Sequence, residues 1–153
     1  MGDTLDTSFK EKNANDGVQR FKIAQNSKLG YSQALLEIQN GKKEGNWIWY
    51  IFPTINGLEK SSISMYYGIS CIEEAREYMH DEELLSHLRE IANALLSHKD
   101  KTAEDILGKN DSLRVNSCMT LFNALCPNDV FGEVINQFYN GKQCEKTLDM
   151  LNG

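Results

Sequence analysis

The sequence predicts an all-α fold, a single compact orthogonal multi-helix bundle of about seven short helices rather than a parallel sheet. Three observations predict it. Apolar residues recur at the 3.6-residue helical spacing through most of the chain, helix-capping side chains stand before these stripes and glycines after them, and the connections between them are short.

Residues 1–15 are polar and without periodicity and read as a mobile tail, so the domain is expected over residues 16–153. Asp16 is placed to cap a helix carrying Val18, Phe21 and Ala24, and Ser32 to cap a second with Ala34, Leu35 and Ile38, ended by Gly41. The run Trp47-Ile48-Trp49-Tyr50-Ile51-Phe52, stopped by Pro53, is the most apolar in the chain, and periodicity does not decide between buried strand and helix. A strand would put both tryptophans on one face; a helix would set them about 200° apart. Residues 54–64, with Gly57 and three serines, read as a loop.

Ser70 with Glu73 has the spacing of a capping box, for a helix whose apolar face is Ile72, Ala75, Tyr78 and Met79. The next helix is the best defined: behind Asp81 as cap, Leu84, Leu85, Leu88, Ile91, Ala92, Leu95 and Leu96 form a stripe that no strand can use. Thr102 with Asp105 starts a short helix ended by Gly108. Asn110 or Asp111 begins a longer one with Val115, Met119 and Phe122 as its seam, widened by Leu121 and Leu125 and ended before Pro127. Asp129 caps Val130, Phe131, Val134, Ile135 and Phe138, with Gly141 as the stop, and Cys144, Leu148 and Leu151 mark a last short helix.

A chain of 153 residues can bury roughly 70% of its unfolded surface without disulfide or metal staples. Its net charge of −6 repels phosphate backbones, and Lys42-Lys43 is too small a basic group to reverse that, so no nucleic-acid partner is expected. No stretch is long and apolar enough to span a bilayer, so no membrane partner is expected either. Cys71, Cys118, Cys126 and Cys144 have no CxxC spacing and no secretion signal before them, and read as reduced thiols of a cytoplasmic protein. Asn110-Asp111-Ser112 fits a glycosylation sequon but serves better as a helix start, and Asp6 stands where a myristoylation signal beginning at Gly2 wants Ser or Thr.

Short words stand in one order along the chain: Arg20-Phe21 with Ala24-Gln25; Ala34-Leu35 with Glu37-Ile38 and Gly41-Lys42-Lys43; Trp47, Trp49, Phe52-Pro53, Gly57-Leu58, Ser61, Tyr67 and Ile69; Glu74-Ala75 with Tyr78 and His80; Gly108, Asp111 and Leu113; and Ser117 with Met119-Thr120-Leu121-Phe122. By these the chain resembles the family called domain of unknown function 1810, over about residues 18 to 151. The resemblance implies an all-helical fold, tips the tryptophan run toward helix and implies no established activity. The label calpastatin carried by some relatives does not fit, because an inhibitor of that kind is repetitive, disordered and proline-rich, whereas this chain has 2 prolines and no repeats. The chain departs from the family pattern as well: Asn46 stands in place of His, Thr54 of Gln, Arg114 of Lys, Cys118 of Ser and Cys144 of Asp. Chemistry carried by those positions in relatives would be altered here.

Residues 42–67 are dense in polar and aromatic groups. Lys42, Lys43, Asn46, Trp47, Trp49, Ser61 and Ser62 combine cations, an amide, hydroxyls and stacking rings, a set suited to an anionic planar ligand such as a nucleotide or an ADP-ribose-like molecule. The competing reading puts both tryptophans in the core and the lysines on a solvated turn. Gly41-Lys42-Lys43-Glu44-Gly45 is not a phosphate loop. Arg114 and Ser117 share a flank of their helix away from its apolar seam and suit a phosphate or carboxylate; the competing reading pairs Arg114 with an acidic residue of a neighbouring helix.

His80, His87 and His98 lack ligand spacing, so neither a metal nor a cofactor is expected, and His80 is placed to end a helix. Ser117-Cys118 lacks a nucleophile elbow and a base; Cys118 reads as a small buried hydrophobe. Gln25 and Glu37 read as buried polar groups that satisfy backbone. The expected function is binding of a small anionic or nucleotide-like metabolite, with turnover left open, at Lys43, Asn46, Trp47, Trp49, Ser61, Arg114 and Ser117, and no catalytic residue is assigned. The competing function is a protein-interaction module that docks a partner through its aromatic segment without catalysis.

Overall fold

Helix follows helix along the described chain. The computed structural model describes residues 17–153, so the expected tail and the Asp16 cap lie outside the described residues. Ten helices run through them: α1 Gln19–Gln25, α2 Tyr31–Gln39, α3 Ile48–Ile51, α4 Ser62–Tyr67, α5 Ile72–His80, α6 Glu82–Leu96, α7 Ala103–Leu107, α8 Lys109–Leu125, α9 Val130–Tyr139 and α10 Glu145–Asn152. Among the described residues extended backbone pairs only in one parallel bridge, Ile55 with Ile69. None of these helices is long and apolar enough to cross a membrane.

The fold class is the expected one, with ten helices where spacing predicts about seven. The tryptophan run is α3, a single turn, which sends Trp47 into the core with no exposed surface and leaves Trp49 half-buried. Part of the expected loop is α4, started by Ser61, whose hydroxyl accepts from the Ser64 N–H at 3.2 Å. Ile63 and Met65 of this helix point outward and only Ser64 is buried, so no amphipathic stripe announces it.

The caps are mostly where their chemistry places them. Asp81 accepts from Leu84 N–H at 3.0 Å, Thr102 and Asp105 exchange both capping-box bonds at 3.0 Å, and Asp129 accepts from Val130 N–H at 2.6 Å. Two starts differ. At α5 it is Glu74, not Glu73, that reaches back to the Ser70 N–H at 2.8 Å, because Glu74 is turned inward to hold the buried guanidinium of Arg20 at 2.7 Å. α2 begins behind Gly30 rather than Ser32; a Cβ on Gly30 would lie 2.3 Å from the Gln25 carbonyl oxygen, so backbone crowding sets that start.

α6 packs against α9, α2 and α5, and α8 against α9, α7 and α10. Leu84, Leu88, Ile91, Ala92 and Leu95 are the buried part of the α6 stripe, with Leu85 and Leu96 half-buried at its margins. Phe122 of α8 meets Tyr78 at 5.2 Å and Phe131 at 6.0 Å between ring centroids, which joins α5, α8 and α9 across the core. Gln25 is a buried connector: its amide donates to Tyr50 O at 2.8 Å and to the Tyr78 hydroxyl, and its carbonyl oxygen meets His87 Nδ1 at 2.7 Å.

Glu37 ties α2 to the segment leading into α3. Its Oε1 accepts from the Glu44 N–H at 2.7 Å, the Gly45 N–H at 2.9 Å and the Trp47 indole at 2.8 Å, and Oε2 accepts from Gln33 at 2.8 Å. Burial opposes its charge, but these four donors outweigh it and bring the carboxyl down to about 2.

Two outcomes follow from this packing. Leu88→Ala removes the middle of the α6 stripe and should cost on the order of 2 to 5 kcal/mol in chemical denaturation; a loss under roughly 0.5 kcal/mol, the surface value, would contradict the buried face assigned to α6. Because the folded-state pKa of Glu37 lies below its ordinary 4.5, its contribution to stability is complete above that pH and drains away as pH falls toward about 2. Glu37→Gln should flatten this part of the stability profile, measured by denaturation at a series of pH values with tryptophan fluorescence. Parallel profiles for the two proteins would rule the linkage out.

Candidate functional site

One flank of α8 carries a chain of ion pairs that begins in the segment Glu37 holds. Lys43 lies over the buried Trp47 ring at 5.0 Å, donates to the Gly45 carbonyl and pairs with Asp111 at 2.7 Å. The other carboxylate oxygen of Asp111 accepts from Arg114 Nη1 at 2.7 Å. Arg114 in turn grips Glu59 with Nε at 2.8 Å and Nη2 at 2.7 Å, and its guanidinium lies 4.5 Å from the ring centre of Trp49. The Glu59 and Asp111 bonds raise the pKa of Arg114 further despite partial burial, so the group is charged at any working pH. Three of its five N–H directions are taken and two remain.

Beside Arg114 opens a cavity of about 640 Å³. α8 contributes Arg114, Asn116 and Ser117 to its wall, the segment before α4 contributes Thr54, Leu58 and Glu59, and the chain from Tyr139 to Lys146 closes the third side. That third side exists because α9 ends on two successive left-handed residues, Asn140 at φ 55° and Gly141 at φ 80°, which turn the chain back along α8. It is then pinned at three places: Tyr139 donates its hydroxyl to Ser112 O, Asn116 donates to Lys142 O at 3.2 Å, and Cys144 N–H donates to the Thr120 hydroxyl at 2.9 Å.

The cavity wall holds Arg114, Lys142 and Lys146 against Glu59 and Glu145, a positive balance in a chain whose total is −6. Among the described residues no carboxylate pairs with Lys142 or Lys146. Asn116 Oδ1, another group of this wall, is buried without a hydrogen bond. Cys144 stands at the N-cap of α10 with the Ser117 hydroxyl 3.3 Å from its sulfur. Burial works against its thiolate, yet the Ser117 hydroxyl and the polar groups of the first turn of α10 bring the thiol below its usual range, although no group of that turn closes a cap bond on the sulfur.

The residues expected from sequence are dispersed by this geometry. Arg114 and Ser117 stand on the cavity wall, with Trp49 beneath Arg114 and Lys43 one ion pair further away. Arg114 is also paired, as in the competing reading, but with Glu59 of the segment before α4 and Asp111 of its own helix rather than with an acid of a neighbouring helix. Trp47 offers no face to a ligand: it is wholly buried, with its N–H given to Glu37. Asn46 and Ser61 are exposed and off this wall, and Ser61 serves as the cap of α4. Lys43 is not on a solvated turn, since its side chain is 9% exposed and paired.

The histidines stand apart: His87 is stacked on Tyr31 at 3.7 Å, His98 is bonded to Ile38 O, and His80 ends α5. Among the described residues no group of three His, Cys, Asp or Glu could hold a metal ion. Cys118 is wholly buried and burial pushes its thiol up. Sequence reasoning passed over Lys142, Lys146 and the thiol of Cys144. The signal for them was modest: a left-handed Asn140-Gly141 stop, two lysines close behind it, and Cys144 three residues before Thr147 at a helix start.

No curated protein matches the chain. A crystal structure at 1.38 Å of the conserved hypothetical protein Rv1873 from Mycobacterium tuberculosis is similar at 31% sequence identity and a TM-score of 0.85, covering 89% of this chain and 96% of that one. The family model described as protein of unknown function (DUF1810) matches residues 15–151. With nearly the whole fold matched, the chain belongs to the DUF1810 family.

Proposed function

We propose that the chain binds a small anionic metabolite in the cavity between α8, the segment before α4 and the Tyr139–Lys146 connection. The observation that carries this reading is the convergence of Arg114, Lys142 and Lys146 on one concave wall of an otherwise acidic chain. A volume of about 640 Å³ lies within the roughly 300–1,000 Å³ usual for metabolite sites. Phosphate and carboxylate groups suit it best, since the two unpaired lysines supply charge and Arg114 keeps two N–H directions. Arg114 covers one face of Trp49, and Trp49 is not part of the cavity wall, so base stacking on it is not the source of affinity. Asn116, Asn140 and Gln143 supply neutral donors and acceptors for the body of the ligand.

A thermal-shift screen of nucleotides, sugar phosphates and small dicarboxylates tests this directly. A ligand at a hundred times its Kd stabilises the fold by roughly 2.7 kcal/mol. In the absence of ligand, replacing Lys142 and Lys146 together by Ala should change stability by no more than roughly 0.5 kcal/mol per surface site. The same variant should lose a charge-assisted bond of about 1.5 to 3 kcal/mol in ligand affinity. Arg114→Ala should weaken the ligand at least as much, because it removes a cation from the wall and leaves Glu59 without its ion-pair partner beside the cavity. If no anion in the screen moves the transition, the site does not bind this class.

A further inference from the structure

We propose that Cys144 is a covalent site of this cavity, where its sulfur exchanges with a small carboxylate-bearing disulfide and retains half of it as a mixed disulfide. The charge of that disulfide rests on the anion-binding reading above; the reactivity of the sulfur does not. Cys144 is half-buried on the wall, and the structure surrounds its sulfur with groups suited to an anion rather than to a neutral thiol. Thr147 is the clearest of these. It is 0% exposed, its hydroxyl faces Cys144 from the first turn of α10, and that hydroxyl has no formed hydrogen bond, a costly state for a buried polar group unless an acceptor closes on it.

Ser117 points the same way. Its single hydroxyl proton has two acceptors in reach, the Leu113 carbonyl at 3.2 Å and Cys144 Sγ at 3.3 Å, and a negative sulfur draws it from the first to the second. The start of α10 adds the partial positive charge of its free N–H groups, and Lys142 and Lys146 line the same cavity as Cys144. Other thiols lack this setting: Cys118 is wholly buried, burial and Asp129 push Cys126 up, and Cys71 is exposed outside the cavity wall.

The exchange needs no redox partner beyond the disulfide. Cys144 gives its proton to solvent, and Sγ attacks one sulfur of the disulfide. The new S–S bond forms as the old one breaks. Its electron pair leaves on the second sulfur as a thiolate, which takes a proton from water. Cys144 is oxidised, the departing thiol is reduced, and excess free thiol reverses the step.

The test treats the full chain at neutral pH with oxidised glutathione, which is anionic, with cystamine, which is cationic, and with neutral iodoacetamide, and maps the modified cysteines by peptide mass spectrometry. Oxidised glutathione should modify Cys144 ahead of the more exposed Cys71. Cystamine, or the doubled Lys142→Ala and Lys146→Ala variant with glutathione, should lower that preference by about tenfold, the lower end of what charge steering does to encounter rates. Ser117→Ala should slow iodoacetamide at Cys144 and not at Cys71, and Thr147→Val, nearly isosteric, provides the same readout should Ser117→Ala fail to fold. Glutathione reaching Cys71 first would overturn the proposal. The iodoacetamide arm then identifies the failed half: a fast Cys144 shows that the cavity does not favour anions, and a slow Cys144 shows that its sulfur is not activated.

Discussion

The carboxylate of Glu37 is the constraint on which the site depends. Three N–H groups converge on one of its oxygens, two from the Glu44–Gly45 backbone and one from the Trp47 indole. Folding the segment from α2 to α3 around this buried acceptor sends Trp47 inward, and the ring then supplies the face on which Lys43 rests. Lys43 is thereby brought to Asp111, Asp111 orients Arg114, and Arg114 covers Trp49 at the cavity edge. A buried carboxylate without donors would be protonated or would oppose folding; with four it stays charged and holds the turn.

Charge is distributed along this path in a way that separates scaffold from site. Lys43, Asp111, Arg114 and Glu59 form an alternating series with no net charge, and such series order side chains more than they attract ligands. The excess positive charge at the cavity comes from Lys142 and Lys146 instead, on the chain that α9 throws back along α8. Arg114 is pre-organised by its partners and offers direction, while the lysines offer charge.

Much of the fold was legible in the sequence, because helical periodicity and capping chemistry are local. The α6 stripe, the Asp81, Thr102–Asp105 and Asp129 caps and the stop expected at Gly141, which begins one residue earlier at Asn140, all stand within a few residues of where spacing puts them. The misses have physical causes. α3 is one turn long, too short for any period to appear, and α4 keeps its apolar side chains outside. The site was less legible, since its wall is drawn from three stretches of chain that tertiary packing alone brings together. Arg114 and Ser117 could be singled out by their common flank on α8. Trp47 could not be separated from Trp49 by residue type; in the fold Trp47 is core, with its N–H satisfied by Glu37, and Trp49 is half-buried.

Cys144 shows how a capping position passes into a chemical one. The resemblance to the family implies Asp at this point of the chain, and Asp is among the best residues for ending the unsatisfied N–H groups of a helix. An aspartate there would be charged at neutral pH, with the α10 N–H groups and the Ser117 and Thr147 hydroxyls around it. In this chain the same surroundings meet a sulfur, which satisfies them fully only as a thiolate, and the thiol is held below its usual range although burial opposes it. The surroundings that would receive a capping carboxylate therefore favour, with cysteine, the thiolate form of a sulfur on the cavity wall. No rearrangement of the fold is required for that change, because Thr120 fixes the Cys144 backbone through its N–H, independently of the side chain it carries.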